Sequence, residues 1–500
     1  MHKEETEIMT TGKKYRPIMF VGTGSDVGKS VINAGFCRIF KQDGLNPAPY
    51  KAQNMSLNSF PTADGLEIGR AQAVQAEACG VDCRVEMNPV LLKPTGYMNS
   101  QIVLNGKPWA NKSAQEYFNG TDRDFLFSEC MKAFSRLEEE FNPIVVEGAG
   151  SISEVNLWEK DITNMRVAVE KNAATYLIAD IDKGGVFGSV YGTMLLLPEE
   201  ERNQVKGIII NKFRGDISLF TDGAKKLEEL CGVPVVGIIP HFRDIYIDDE
   251  DSVVVDKKQF KSVEGKTNIA VVLLRHMSNF TDFNLLERIP EVNLFYAATP
   301  DDVDQADIVI IPGSKNTISD MLFLQKQGMA SAIKKAHEIG KAVYGVCGGF
   351  QMMGKWIKDP QHVEGNVDLV PGLGILPVET TITEEKVTEQ CSFTFQNSEL
   401  KGKGYEIHMG DTVAEAPSPL CLINDEKDDG YFLNPKTWGT YIHGIFDNKE
   451  IINTILAESG QNVITEMDFQ QFKEEQYDKL ADLVRENVDM AYIYKSLQID

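Results

Sequence analysis

The chain has 500 residues, 42% hydrophobic and 25% charged, long enough for two to four domains and apolar enough to bury their cores. Its 50 Lys and Arg stand against 74 Asp and Glu, and the formal net charge of −24 excludes nonspecific binding to a polyanion such as nucleic acid or an anionic membrane surface. The longest apolar runs, 269–274 and 307–311, are strand-sized and fall short of the roughly 18 to 20 residues of a membrane span. Residues 1–16 are polar and charged without an apolar stretch, so no secretory signal is read and a cytoplasmic location is expected. Eight Cys without a CxxC pair suit neither a disulfide framework nor a zinc site, and most are expected as small buried side chains.

In chain order, residues 17–21 read as a short buried strand, followed by a Gly-rich turn and a helix over 30–40. Similar apolar runs at 143–146, 174–179 and 205–210 each end in a Gly-, Asp- or Asn-containing loop and are separated by helix-length segments. That alternation predicts an α/β domain with a parallel sheet covered by helices, and 233–239 adds a further strand, so the domain spans 17–245. The polar, acidic stretch 246–266 reads as a linker. A second α/β series occupies 267–450, with strands at 269–274, 292–296, 308–311 and 342–346, and 451–500 reads as a charged C-terminal helical extension.

The turn Gly22-Thr23-Gly24-Ser25-Asp26-Val27-Gly28-Lys29-Ser30 lies between the first strand and the first helix, where backbone N–H groups and a helix N-terminus cradle phosphate. Lys29 is expected to reach terminal phosphate oxygens and the Ser30 hydroxyl to ligate Mg²⁺. Glu147 ends the strand 143–146 and is the second Mg²⁺ candidate, because a metal-binding carboxylate belongs at the carboxyl edge of such a sheet. Asp180, Asp182 and Lys183 stand at the next strand end as candidates for phosphoryl transfer, although each carboxylate could equally cap the following helix. Asn211, in the strand end Asn211-Lys212, can offer its amide to adenine.

In the second domain, Tyr344-Gly345-Val346-Cys347-Gly348-Gly349-Phe350 reads as a strand, a sharp turn bearing Cys and a helix start, which exposes a thiol at an elbow and favours thiolate at the helix N-terminus. Of the eight Cys, Cys347 is the candidate nucleophile, and the distant His443 is its candidate base. The loop at Gly313, with the amide of Gly348, is the candidate oxyanion hole. His408 has even claims to a structural and a functional role.

The Cys elbow with a remote His resembles the class I glutamine amidotransferases, while the GTxxxVGKS form of the phosphate loop is similar to that of dethiobiotin synthetase. Class I members carry a Glu two residues after the His; here that position is Ile445. Together with Lys51–Ser59, Asn88–Pro94, Asp180–Phe187, Asn211–Asp216 and Gly404–Gly410, the pattern over about residues 17–450 resembles the cobyric acid synthase family. The resemblance implies a two-site enzyme with ATP, Mg²⁺ and glutamine as its cofactors and reactants. The first domain would phosphorylate the b, d, e and g carboxylates of a corrinoid, adenosylcobyrinic acid a,c-diamide, and ammonia released at Cys347 would convert them to amides. A local basic surface must then override the net charge, with Lys51, Arg70, Lys93 and Arg214 as contributors. The alternatives are the related a,c-diamide synthases, another ATP-dependent carboxylate amidotransferase, or a regulatory P-loop ATPase without a working thiol.

Overall fold

Short, wholly apolar runs can be buried on both faces only in a parallel sheet covered by helices, and two such sheets organise the molecule. The computed structural model describes residues 14–94, 99–120, 122–248, 261–396, 399–458, 460 and 464–499. In the first sheet the strand order is Val235–Pro240, Val205–Phe213, Ala174–Asp180, Ile18–Gly22, Ile144–Glu147, Ala48–Tyr50, all parallel. Ile18–Gly22 lies at its centre, flanked by the strands that end in Glu147 and Asp180, so the phosphate loop opens at the middle of the carboxyl edge. The second sheet runs Val292–Ala297, Thr267–Val272, Ile308–Ile311, Ala342–Val346, Thr437–Thr440, Tyr431–Asn434, with only the last strand antiparallel.

Two additions to these α/β units carried no expectation. The strands Gln53–Met55, Val90–Pro94, Asn99–Leu104 and Lys107–Ser113 form a separate small sheet inserted in the first domain. The second domain carries a long antiparallel hairpin, Val378–Phe395 with Lys401–Ala414, whose second strand also pairs with Ile442–His443. The two domains meet where the short hairpin Ser59–Pro61/Glu67–Gly69 packs on this long one. The Phe60 and Tyr405 rings cross edge to face at 4.9 Å, and Gln390 Nε2 donates to the Pro61 carbonyl at 2.8 Å.

The part of the expected linker that the structure describes is not a free tether. The Asp248 side chain is nearly buried, pairs with Arg70 at 2.8 Å and accepts from Asn284 Nδ2 at 2.8 Å, so it is bonded to both domains; residues 249–260 lie outside the described residues.

The C-terminal segment is helical but does not extend away. The helix Lys449–Glu458 stays on the second domain, burying Ile451, Ile452, Ile455 and Leu456 in its core. The helix Phe469–Asn487 returns to the first domain and lies against the helix that follows the phosphate loop, Lys29–Gln42. Its apolar stripe Tyr477, Leu480, Ala481 and Val484 joins Phe20, Phe36 and Phe40 in one buried cluster. The approach is close because position 35 is glycine: a Cβ there would come within 3.0 Å of Val484. Beyond the helix, the Asp489 amide donates to the Val236 carbonyl, which covers the edge of the first sheet. Leu480→Ala is therefore expected to cost the first domain on the order of 2–5 kcal/mol, read by calorimetry as an earlier melting transition; an unchanged transition would mean that the helix merely rests on the surface.

Candidate active sites

The phosphate loop owes its shape to Gly28, which caps the following helix with φ 97°, a left-handed conformation that costs glycine little. Lys29 turns back across the loop, donating to the carbonyls of Gly24 at 3.0 Å and Gly150 at 2.8 Å. Ser30 Oγ donates to Glu147 Oε1 at 2.8 Å, so the two residues expected to share a metal are in direct contact. Glu147 is buried and also accepts from Lys51 Nζ at 2.9 Å and Gln75 Nε2 at 2.6 Å. The Oε1 atom of Gln75 is buried without a hydrogen-bond partner among the described residues. Hydroxyl, carboxylate and amide oxygens in one place form a hard-donor set, and they fit Mg²⁺ brought in with nucleotide phosphates.

A cavity of about 820 Å³ opens over this loop, lined by Ser25, Asp26, Gly28, Lys29, Ser30 and Glu147. Arg123, Lys160 and Arg166 line its far side. Other sequence candidates stand elsewhere around the loop. Asp180 and Asp182 do not line this cavity: Asp180 pairs with Lys212 at 3.0 Å, and Asp182 lies exposed against Arg214 at 2.5 Å. Lys183 is exposed beside them. Asn211 Nδ2 donates to the Val27 carbonyl at 2.8 Å and so braces the phosphate loop, and the residue also lines a small cavity with Gly28, Lys212 and Phe242. Of the four cations expected to form a basic surface, each is paired with a carboxylate: Lys51 with Glu147, Arg70 with Asp248, Lys93 with Glu67 and Arg214 with Asp182.

In the second domain, Cys347 sits at the end of Ala342–Val346 with φ 52° and ψ −111°, a strained elbow for a residue with a side chain. Its amide donates to Thr440 at 2.7 Å, and the helix Gly348–Met353 starts at once. Gly349 is obligatory, since a Cβ there would fall 1.9 Å from the Ile311 carbonyl oxygen. Gly348 is the first residue of that helix, so its amide is not used by the helix's own ladder. Gly313, in a two-residue ladder with Ser278, packs so near His443 that a Cβ would lie 3.0 Å from the ring. The elbow, Gly313, Gly348 and His443 thus converge.

His443 is buried and stands where the charge of Cys347 acts on its ring; the Cys347 thiol itself donates to the Ile407 carbonyl at 3.5 Å. His443 Nδ1 donates to Asp282 Oδ2 at 2.7 Å, and the Gly444 amide donates to Asp282 Oδ1 at 3.0 Å. The carboxylate absent at position 445 is therefore supplied from 161 residues upstream. Sequence reasoning missed Asp282; the available signal was an Asp in the loop beyond the carboxyl end of Thr267–Val272. Burial alone would lower the His443 pKa, but the charges of Asp282 and Cys347 outweigh it and push it up to about 10. At neutral pH the His443 ring is therefore held protonated beside the Asp282 carboxylate. His408 stacks on Tyr441 with ring centroids 3.8 Å apart and bonds the Gly410 carbonyl at 3.2 Å, lining the Cys347 cavity without touching the thiol's base.

A second cavity, of about 530 Å³, contains Cys347 and is walled partly by the inserted sheet of the first domain through Lys93, Gln101 and Asn111. Leu57 lines both cavities. A P-loop site and a Cys-His-Asp site on neighbouring α/β domains define a nucleotide-dependent glutamine amidotransferase. Residues 18–252 match the CobQ/CobB/MinD/ParA nucleotide binding domain, and residues 268–451 match the CobB/CobQ-like glutamine amidotransferase domain. The chain is 57% identical over 491 residues to a cobyric acid synthase of Parabacteroides distasonis, covering 97% of this chain and 99% of the relative. It is 55% identical over 489 residues to one of Bacteroides fragilis, with 97% and 99% coverage. It is 45% identical over 503 residues to one of Caldanaerobacter subterraneus subsp. tengcongensis, with 96% and 98% coverage. The chain belongs to the cobyric acid synthase family.

Asp282 favours the protonated imidazole, so Asp282→Asn is expected to lower the His443 pKa from its present value of about 10 by about one to three units. The alkaline limb of glutamine hydrolysis then moves to lower pH, and the rate falls on the order of 10²- to 10⁴-fold. A pH profile of ammonia release from glutamine reads both effects, and an unmoved limb would remove Asp282 from the proton circuit.

Proposed function

We propose that the protein catalyses the ATP-dependent, glutamine-hydrolysing amidation of the b, d, e and g carboxylates of adenosylcobyrinic acid a,c-diamide, giving adenosylcobyric acid. The observation that carries this reading is the pair of cavities in one chain, one over a phosphate loop and one around a Cys-His-Asp group, with Leu57 in the wall of both. The curated relatives named cobyric acid synthase supply the substrate class.

At the second cavity the Cys347 thiolate attacks the side-chain amide carbon of glutamine, and the amides of Gly348 and Gly313 stabilise the oxygen that becomes negative. The His443 imidazolium gives its proton to the departing nitrogen, ammonia leaves, and water activated by the now neutral imidazole hydrolyses the glutamyl thioester. Asp282 holds the ring in the tautomer that both steps need. At the first cavity a substrate carboxylate attacks the γ-phosphorus of ATP. Lys29 and the loop amides Thr23 to Gly28 hold the phosphates and bear the charge that moves onto the leaving ADP. Ser30 and Glu147 would hold Mg²⁺, which supplies charge neutralisation on the phosphate oxygens. The resulting acyl phosphate is a good electrophile where the carboxylate was not. Ammonia attacks its carbonyl carbon, phosphate leaves, and one proton is lost to give the amide. Arg123, Lys160 and Arg166 are cations suited to an anionic corrinoid on the far side of that cavity.

Incubation of cobyrinic acid a,c-diamide with ATP, Mg²⁺ and glutamine, followed by mass spectrometry, should show four carboxylate-to-amide exchanges; no exchange would overturn the substrate assignment. The two sites separate by mutation. Cys347→Ala is expected to abolish amidation from glutamine while amidation from concentrated ammonium salt survives, because only the ammonia source is lost. Lys29→Ala is expected to abolish both. Ammonia-driven turnover in Lys29→Ala would move ATP away from the phosphate loop.

A further inference from the structure

Hydrolysing a primary amide needs a nucleophile, a proton donor and an oxyanion hole, yet the cavity around Cys347 also holds charge of both signs. Lys315, Lys93 and Lys386 line it together with Glu364. Two of the three cations share one carboxylate: Glu67, almost fully buried, accepts from Lys93 at 2.5 Å and pairs with Lys386 across the domain boundary. Burial would raise the Glu67 carboxyl, but Lys386 and Lys93 together hold it well below the usual range. Glu67 therefore serves two ammonium groups, and burial brings that of Lys386 down to about 7. Lys315 has no ion-pair partner among the described residues, and burial together with the repulsion of Lys93 lowers its pKa.

The backbone beneath Lys315 is fixed. Its amide donates to the His276 carbonyl at 2.9 Å, and Ser314 Oγ before it donates to Asp320 at 2.7 Å. Asn316 after it bonds the Glu364 carbonyl at 2.9 Å. That last contact also sets Glu364 beside the lysine, with its carboxylate accepting from the Ile318 amide at 3.0 Å. Burial pushes the Glu364 carboxyl up to about 7. A buried lysine without an ion-pair partner among the described residues and a desolvated carboxylate, both lining the thiol cavity, suit a ligand that carries an anionic and a cationic group on one carbon. An α-amino acid head group has that form.

We propose that Lys315, reinforced by the Lys93–Glu67–Lys386 cluster, binds the α-carboxylate of glutamine and that Glu364 binds its α-ammonium, so that the glutamine site is completed by a residue of the first domain. The proposal rests on the glutaminase reading above and adds the groups that select the free amino acid over other primary amides.

The test compares kcat/KM for ammonia release from three amides on each preparation: L-glutamine, 4-aminobutanamide, which lacks the α-carboxylate, and glutaramic acid, which lacks the α-ammonium. Ratios within one preparation cancel any loss of folded protein. The native chain is expected to prefer glutamine to either analogue by on the order of 100-fold or more. Lys315→Met should lose most of its preference over 4-aminobutanamide while keeping that over glutaramic acid, and Glu364→Gln should show the reverse. Lys93→Met should weaken the carboxylate preference by a smaller factor. Equal loss on all three amides, or unchanged ratios in Lys315→Met and Glu364→Gln, would overturn the assignment. Failure of the native chain to release ammonia from glutamine would instead overturn the glutaminase reading on which it rests.

Discussion

The loop 279–283 is the point through which the two halves of the molecule depend on one another. Asp282 in this loop accepts from His443 and from the Gly444 amide, which fixes the imidazole against the thiol. Three residues earlier, Asn279 adopts φ 51° and accepts from the Ser59 amide at 3.1 Å, while the Phe280 amide donates to Asn58 at 3.2 Å. Residues 56–59 belong to the first domain and Asn58 lines the cavity over the phosphate loop. The acid of the glutaminase group thus sits on a turn whose other end is bonded to the wall of the nucleotide cavity. The bonds that join them are buried, so the wall of the nucleotide cavity and the turn bearing Asp282 are packed as one unit.

Charge is handled in the same manner throughout. The net charge of −24 belongs to the whole chain, while most of the cations at the sites are buried beside buried carboxylates. Lys51 and Glu147 form one such pair beneath the phosphate loop, and Lys93, Glu67 and Lys386 form a second group at the domain boundary. Leaving any one member unpaired in a desolvated place costs several kcal/mol, so the Glu67–Lys386 contact holds the domains in one relative arrangement more than it adds stability. The electrostatic character of each cavity is consequently independent of the overall charge.

Much of the architecture was legible in the chain. Strands buried on both faces need runs of Val, Ile and Leu, and Ile18–Gly22, Ala174–Asp180, Val205–Phe213 and Ala342–Val346 lie within a residue or a few of their expected bounds. The phosphate loop and the Cys elbow were legible for a related reason: both demand glycines at set offsets from a strand end, a local steric requirement that local sequence must satisfy. The inserted sheet of residues 53–113 was not, since its strands are short and mixed in polarity. Nor was the return of the C-terminal helix to the first domain, since an amphipathic stripe states that a face is buried but not against what.

The sequence by itself determined two α/β sheets, a phosphate loop at the edge of the first, and a thiol elbow at the edge of the second. Periodicity and steric need act over a few residues, and so leave a readable mark. Only the tertiary structure decided that Asp282 stands where Ile445 cannot, that Asn211 braces the phosphate loop, that Asp180 and Asp182 face Lys212 and Arg214, and that Lys93 of one domain reaches the thiol cavity of the other. Each of these is a contact between residues tens to hundreds of positions apart. A carboxylate or amide carries the same chemistry wherever it lies in a chain, and its partner is set by the packing of whole domains.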